Sequence, residues 1–230
     1  MDISKPLKIA YSGSLDAKHP SRSKGFFRQV KNLFWTYKHD AVDPSTRSAY
    51  FLIKAIGVLK RDFNITPDEI QIELWGNIHS LNKELIIEAG VSEFFYIDSY
   101  LPKDESLKRL SQADVLFLPL EKSNIKGQGT LFIPGKLFEY LSTRKPILAL
   151  CEPSDCRDII ENSGLGICIE PDNPELIANV LFPLIKNKML LSGLTANEEF
   201  IETFAFKNKT LELISVLNKA SRQLKLTSFF

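Results

Sequence analysis

The sequence has 230 residues, of which 44% are hydrophobic, and this apolar content excludes an intrinsically disordered chain. Its 29 basic and 28 acidic side chains leave a formal charge of only +1. We therefore expect no nucleic-acid partner, because nucleic-acid binders usually carry a net basic field. The longest apolar run, 146–151, is too short to cross a membrane but suits a buried strand.

Short apolar segments alternate with amphipathic ones along the chain. In chain order, the predicted elements are strand 8–12, helix 44–62, strand 70–75, helix 80–90, strand 94–97, helix 104–111, strand 115–120, helix 135–145, strand 146–150, helix 154–163, strand 166–170, helix 174–186 and helix 197–224. The N-cap candidates of the first helix are Asp43, Ser45 and Thr46.

Strands that alternate with helices of this length form right-handed βαβ units. The sequence therefore predicts an α/β fold, namely a Rossmann-like doubly wound parallel sheet of six strands. No linker rich in glycine, serine or proline divides the chain, so we expect a single domain over residues 1–230.

Residues 16–43 interrupt the first strand-to-helix connection, which is normally only a few residues long. Between residues 18 and 39 this insertion has six lysine or arginine side chains and no acidic one, and most of its apolar side chains share one helical face. Such a basic aromatic segment suits an anionic membrane surface or a lipid-linked acceptor. The alternative is a helix that packs its apolar face on its own domain or on an absent partner.

In open α/β sheets, ligands bind beyond the carboxyl ends of the strands, in the loops that lead into helices. The loop 121–135 contains three glycines and leads into a helix that carries Lys136 and Glu139. The free N–H groups of the helix start and Lys136 suit a phosphate, and Glu139 could accept hydrogen bonds from two sugar hydroxyls. The alternative is that Gly135 only shapes a turn, Lys136 is solvated and Glu139 favours the helix dipole.

Residues 134–149, PGKLFEYLSTRKPILA, resemble the signature P-x-K-x-F-E-Y-L-A-x-G-K-P-x-L of group 1 glycosyltransferases with the GT-B fold. Weaker likenesses follow in the order of that family, at KIAYSGSL (8–15), IELWGN (72–77), QADVLFLP (112–119) and the segment 164–178. These enzymes combine an N-terminal acceptor half with a C-terminal donor half. The chain resembles only the second half, over about residues 8–215 without the insertion.

The resemblance implies a donor-binding domain of a hexosyltransferase, which transfers a sugar from a nucleoside diphosphate sugar to a polysaccharide or lipid-linked acceptor. It implies a role in polysaccharide biosynthesis, no cofactor besides this donor substrate, and no metal. An acceptor-binding half would come from a longer chain or a partner protein, and without it we expect little transfer.

The resemblance also assigns roles to individual residues around the phosphates and the ribose. It implies that Glu139 binds the ribose hydroxyls. Gly13 and Ser14 would hold the diphosphate against Lys136 and the helix start. Arg47, near the start of the first long helix, would add a phosphate-binding cation.

For the two ends of the donor, the resemblance implies that Tyr100 and Leu101 line the base pocket, and that the loop from Gly129 to Gly135 surrounds the sugar and its phosphates. It assigns no catalytic residue. Many retaining members have a second glutamate eight positions before the equivalent of Glu139, and here that position is Leu131.

One other departure concerns the helix end, where Arg144 replaces the family's turn glycine and could cap the helix C-terminus. Two further functions stay open. A non-catalytic interaction or scaffold module could keep this fold, and Leu131 and the missing half favour it. A nucleotide-sugar epimerase-like enzyme would share the architecture but would need a second domain and acid–base carboxylates.

The expected location rests on the cysteines and the first residues. Cys151, Cys156 and Cys168 form no metal-ligand pattern and indicate reduced, mostly buried thiols. The first 15 residues lack the charged, apolar and small-residue order of a signal peptide. We expect a cytoplasmic protein, with peripheral contact to the inner face of the membrane through residues 18–39.

Overall fold

The structure, a computed structural model, describes residues 5–16, 42–43, 45–124 and 129–227. The side chains of residue 42 and of residues 222–227 are not described. The expected basic aromatic insertion at about 16–43 therefore falls almost wholly outside the described residues, and its contact segment 18–39 entirely so.

Strands and helices alternate in the described residues as the sequence predicts. The strands are β1 (Leu7–Ser12), β2 (Val42–Asp43), β3 (Ile70–Trp75), β4 (Phe95–Asp98), β5 (Val115–Pro119), β6 (Lys122–Ser123), β7 (Ile147–Leu150) and β8 (Gly166–Ile169). The α-helices are α1 (Tyr50–Phe63), α2 (Ser80–Glu88), α3 (Lys103–Ser111), α4 (Gly135–Thr143), α5 (Asp155–Asn162), α6 (Pro174–Lys186), α7 (Glu198–Glu202) and α8 (Phe206–Thr227). Short 3-10 helices occupy Ser92–Phe94 and Lys188–Gly193.

Six of these strands form one sheet in the order β4-β3-β1-β5-β7-β8, and every neighbouring pair is parallel. Ser12 lies beside Trp75, and Trp75 beside Asp98, so the carboxyl ends of β1, β3 and β4 are level. β1 lies inside the sheet, with β3 and β4 on one side of it and β5, β7 and β8 on the other. The predicted six-stranded, Rossmann-like parallel sheet is confirmed.

Helices cover both faces of the sheet. Because successive strand residues project to opposite faces, Ile9 and Phe117 pack with α1, α2 and α6, whereas Ala10 and Leu116 pack with α3, α4 and α5. The central strands are therefore buried on both sides, which explains the continuous apolar run of β5. This double covering confirms the doubly wound arrangement.

The first long helix begins later than the sequence predicts, at Tyr50 with Ala49 as N-cap. The expected caps form a turn instead. The backbone N–H and the hydroxyl of Ser45 donate to Asp43 Oδ1 at 2.9 and 2.7 Å, and the Thr46 hydroxyl donates to the Asp43 carbonyl at 2.8 Å. Short polar side chains often prefer such local bonds to a helix, so the N-cap predictions were wrong.

The last predicted helix is divided into α7 and α8. Phe204, in the connection, stacks against Phe138 of α4 with ring centroids 5.3 Å apart. The surface of α8 exposes six large apolar side chains: Phe206, Leu211, Leu213, Ile214, Val216 and Leu217. No helix in the described part of the chain is both long and apolar enough to cross a membrane.

Arg144 ends α4 in the left-handed conformation, with φ at 58°. Its guanidinium donates to the Leu141 carbonyl at 2.9 Å and forms ion pairs with Glu198 at 2.7 Å and Glu202 at 3.1 Å. The side chain thus caps the helix, as expected, and also joins α4 to α7.

We expect Arg144→Ala to lower the free energy of unfolding by about 1 kcal/mol, because the ion pairs are lost and the left-handed strain stays. Arg144→Gly should be nearly neutral, since glycine adopts this conformation without strain and so offsets about 1 kcal/mol of the loss. Urea unfolding of the two variants measures the difference. Equal losses would show that the backbone at this position is not strained.

Candidate functional site

A cleft of about 240 Å³ lies beyond the carboxyl ends of β1 and β3, between α3 and α4. This is the place where open α/β sheets bind their ligands. The residues that line it are Ser12, Gly13, Trp75, Gly76, Tyr100, Leu101, Lys103, Ser106, Leu107 and Glu139.

Two glycine turns form the edge of the cleft at the ends of β1 and β3. Gly13 and Gly76 have φ values of 122° and 117°, which side-chain-bearing residues rarely adopt. The turns touch, since a Cβ on Gly76 would lie 2.5 Å from the Gly13 carbonyl oxygen, and the Gly13 N–H donates to the Trp75 carbonyl at 2.9 Å. A ligand at this edge would therefore contact backbone atoms rather than side chains.

Lys136, in the first turn of α4, places its ammonium against the first of these turns. A Cβ on Gly13 would lie 2.2 Å from Lys136 Nζ, and this atom lies 4.2 Å from the centre of the Tyr11 ring. No described carboxylate forms an ion pair with it. Burial lowers the pKa of Lys136 to about 8; nearby Glu139 opposes this shift and Arg47 adds to it. The site thus holds a partly buried cation that forms no ion pair with a described residue.

Glu139 lies one turn further along α4 and directs an exposed carboxylate into the cleft. The next residue, Tyr140, is fully buried, and its hydroxyl oxygen accepts from the Ser12 N–H at 3.5 Å. Burial also raises the pKa of Tyr140 well above its usual value, so this hydroxyl stays neutral. Tyr140 therefore anchors α4 to β1 while Lys136 and Glu139 face the ligand side.

Hydrogen bonds between three elements build the floor of the cleft. Ser106 of α3 lies with its Oγ 2.6 Å from Ser12 Oγ, and Trp75 Nε1 donates to the same Ser106 oxygen at 2.9 Å. The Arg109 guanidinium covers the Trp75 ring at 4.8 Å. Ser106 and Trp75 were not assigned to the site from the sequence, because each lies inside a regular element, the predicted helix 104–111 and the predicted strand 70–75, rather than in a loop at the ligand edge.

The other end of the cleft carries the side chains expected at a base pocket. Tyr100 and Leu101 follow β4, and the Tyr100 side chain is 79% exposed. Lys103 and Leu107 of α3 join them there, and neither was expected from the sequence.

Arg47 is held near the cleft by a small two-stranded sheet. In that sheet β2 pairs antiparallel with β6, and the Lys122 N–H donates to the Thr46 hydroxyl at 2.8 Å. Arg47 then lies 3.4 Å from a Glu121 carboxylate oxygen, with its guanidinium 4.8 Å above the Phe132 ring. It is close enough to contribute to the lowered pKa of Lys136 but does not line the cleft.

The remaining predicted site residues lie around the cleft rather than in it. A Cβ on Gly129 would lie 2.2 Å from the Pro153 carbonyl oxygen, so a contact with the loop after β7 requires this glycine. Gly135 begins α4, with open space around it, and the Ser14 carbonyl accepts from the Tyr11 hydroxyl. The predicted residues that the structure brings together are Gly13, Tyr100, Leu101, Lys136 and Glu139.

The described residues contain no group of three histidine, cysteine, aspartate or glutamate side chains that could hold a metal ion. Cys151, Cys156 and Cys168 are free thiols there. Cys151 directly follows β7, Cys156 lies in α5 and Cys168 lies within β8, and none of the three lines the cleft.

No family model matches the sequence, and no curated protein does. Solved structures do match. Sucrose-phosphate synthase from Thermosynechococcus elongatus aligns over 97% of this chain and 47% of that chain, with a TM-score of 0.64 and 11% identity. HepE from Anabaena, solved in complex with UDP and glucose, aligns over 95% of this chain and 49% of that chain, with a TM-score of 0.56 and 14% identity.

A third match is an isolated domain. The C-terminal domain of the group 1 glycosyltransferase LpcC from Francisella tularensis aligns over 88% of both chains, with a TM-score of 0.51 and 18% identity. The chain thus spans about half the length of HepE and of the synthase, but most of this domain. At these identities the likeness shows the fold, and it confirms the fold that residues 134–149 resemble. The chain has the fold of the C-terminal half of GT-B glycosyltransferases.

Proposed function

We propose that the chain is the donor-binding domain of a glycosyltransferase and binds a nucleoside diphosphate sugar in the cleft between α3 and α4. The observation that carries the proposal is the pair Lys136 and Glu139. They present a cation and a carboxylate, three residues apart on one helix, beside the glycine turn at Gly13, and neither forms an ion pair with a described residue. HepE, which has this fold, was solved with UDP, and this supports UDP as the nucleotide.

The phosphate end of the site follows from the charges. A leaving nucleoside diphosphate develops negative charge, which fixed cations and backbone N–H groups stabilise. Lys136 supplies the cation next to Gly13, and the start of α4, which has no side-chain cap, supplies N–H groups. Arg47 adds a second cation nearby, and a ligand phosphate would compete with Glu121 for it.

The ribose and base would then extend along the cleft. Glu139 accepts the two ribose hydroxyls, since a carboxylate offers two acceptor oxygens. Tyr100 and Leu101 would contact the base. The donor is the only small molecule that this assignment requires, and no metal or further cofactor takes part in it.

Transfer itself would require a second half that binds the acceptor. The chain spans 49% of HepE and 47% of the synthase, so that half would lie in a longer chain or in a partner protein. We expect residues 1–230, as one domain, to bind nucleotide weakly and to transfer little sugar alone. A polysaccharide or lipid-linked acceptor, a cytoplasmic location and membrane contact through residues 18–39 complete the proposal.

The test is a calorimetric titration of the purified chain with UDP, GDP and ADP. We expect saturable binding of at least one nucleotide. Glu139→Ala should weaken it by about 10- to 100-fold, because hydrogen bonds to a charged group contribute about 1.5–3 kcal/mol. Glu88→Ala, which removes an exposed helical glutamate outside the cleft, is the matched control and should change nothing. If none of the three nucleotides shows saturable binding, the proposal is overturned.

A non-catalytic interaction module is the second candidate function. The observation in its favour is Leu131, which is 80% exposed where many retaining enzymes of the resembled family carry a second glutamate. This candidate predicts nucleotide binding without sugar transfer, even when an acceptor half is supplied. The epimerase-like alternative has no observation in its favour among the described residues.

A further inference from the structure

The base end of the cleft contains a charged side chain that the proposed function leaves without a role. If the diphosphate lies against Gly13 and Lys136, and the ribose at Glu139, the base must lie at the opposite end of the cleft. That end is lined by Tyr100, Leu101, Lys103 and Leu107.

Lys103 is the one cation among the ten residues that line the cleft. It is the first residue of α3, its side chain is exposed, and no described carboxylate forms an ion pair with it. The Ser106 hydroxyl nearby already bonds to Ser12 and Trp75. The exposed Tyr100 hydroxyl both donates and accepts, so it can meet a keto oxygen or an amino group alike. Lys103 is therefore the donor-only side chain at this end.

A lysine ammonium donates hydrogen bonds and accepts none. At the base edge remote from the ribose, uracil and guanine present a keto oxygen, whereas cytosine and adenine present an amino group. A keto oxygen accepts a hydrogen bond from the ammonium. An amino group is itself a donor, so it forms no hydrogen bond with the ammonium. A polar group left without its partner lowers the affinity for the wrong ligand.

We propose that Lys103 is a specificity-determining residue, which selects nucleoside diphosphates with a keto base, uracil or guanine, over those with an amino base, cytosine or adenine. This inference rests on the proposed function. Tyr100 has a different task, because stacking on an aromatic ring stabilises every base and selects none. Tyr100 thus contributes affinity for every base, and Lys103 contributes the selectivity between bases.

UDP and CDP provide the sharpest test, because they share ribose and phosphates and differ only in the base. We expect the whole chain to bind UDP about tenfold more tightly than CDP, and GDP about tenfold more tightly than ADP, which is the size of one good base contact. Lys103→Met should bring the ratio of UDP to CDP affinity close to one. Lys103→Arg keeps a donor-only group and should retain most of the preference.

Tyr100→Ala is the matched control, since it should weaken all four nucleotides while leaving the ratio of UDP to CDP affinity intact. A ratio that stays the same in Lys103→Met, or a wild-type chain that binds UDP and CDP equally, would overturn this inference alone. Binding of none of the four nucleotides would overturn the proposed function and this inference with it.

Discussion

Gly76→Ala is expected to lower the free energy of unfolding by about 3 kcal/mol or more, the largest loss of stability that we predict. Its φ of 117° is strained for any residue with a Cβ, and that atom would lie 2.5 Å from the Gly13 carbonyl oxygen. The obstacle is backbone and cannot rotate away. The two turns must then separate, and the hydrogen bond from Gly13 to Trp75 is weakened with them.

Gly13→Ala offers an informative contrast. Its Cβ would meet Lys136 Nζ at 2.2 Å, and this is the far end of a flexible side chain. We expect a loss of about 1–3 kcal/mol from the strained backbone, and in addition a loss of nucleotide affinity, because the ammonium is displaced. Gly13→Ala thus stays folded enough for titration even if Gly76→Ala does not.

Urea unfolding of the variants measures these effects, with Gly57→Ala as the matched control. Gly57 lies inside α1, and apart from its chain neighbours and the backbone of its own helix no atom lies within 4 Å of a Cβ built on it. Its replacement should stabilise the protein by about 0.5–1 kcal/mol, since alanine favours a helix over glycine. If the free energy of unfolding of Gly76→Ala lies within 1 kcal/mol of the wild-type value, the two turns are not in the close contact that the structure shows.

The parts of the fold that the sequence predicts are those fixed by local pattern. The strand Ile70–Trp75 alternates apolar and polar residues and has the predicted bounds, and β5 is continuously apolar because helices cover both of its faces. Once strands and helices alternate, the parallel sheet and its ligand edge follow. Gly13, Lys136 and Glu139 come together as expected because each stands at a fixed distance from the end of a regular element.

Contacts between elements distant in sequence could not be predicted in the same way. Ser106 and Lys103 reach the cleft because α3 packs beside β1. No spacing in the sequence indicates that these two elements are neighbours. The pairing of β2 with β6 joins two-residue strands that are too short for any periodic signal, yet it positions Arg47. The late start of α1 depends on hydroxyl groups that bond to Asp43 rather than cap the helix.

Lys136→Met should weaken UDP binding at pH 7 by about 100-fold, because a charge-assisted hydrogen bond to the diphosphate contributes about 1.5–3 kcal/mol. The same substitution should raise the thermal midpoint of the free protein at pH 7. Burial lowers the pKa of Lys136 to about 8, so the folded state carries the cost of a desolvated charge below that pH. Lys83→Met, on the exposed surface of α2, is the matched control for both measurements.

The pH dependence separates this lysine from other causes. Between about pH 8 and pH 10 the unfolded chain keeps this proton while the folded protein loses it, so the contribution of Lys136 to stability rises with pH over that range. Diphosphate binds the protonated form, so UDP affinity should fall above about pH 8, by at most tenfold per pH unit. In Lys136→Met this fall should disappear. If the variant shows the same fall as the wild type, another group titrates, and Lys136 is not the cation that holds the diphosphate.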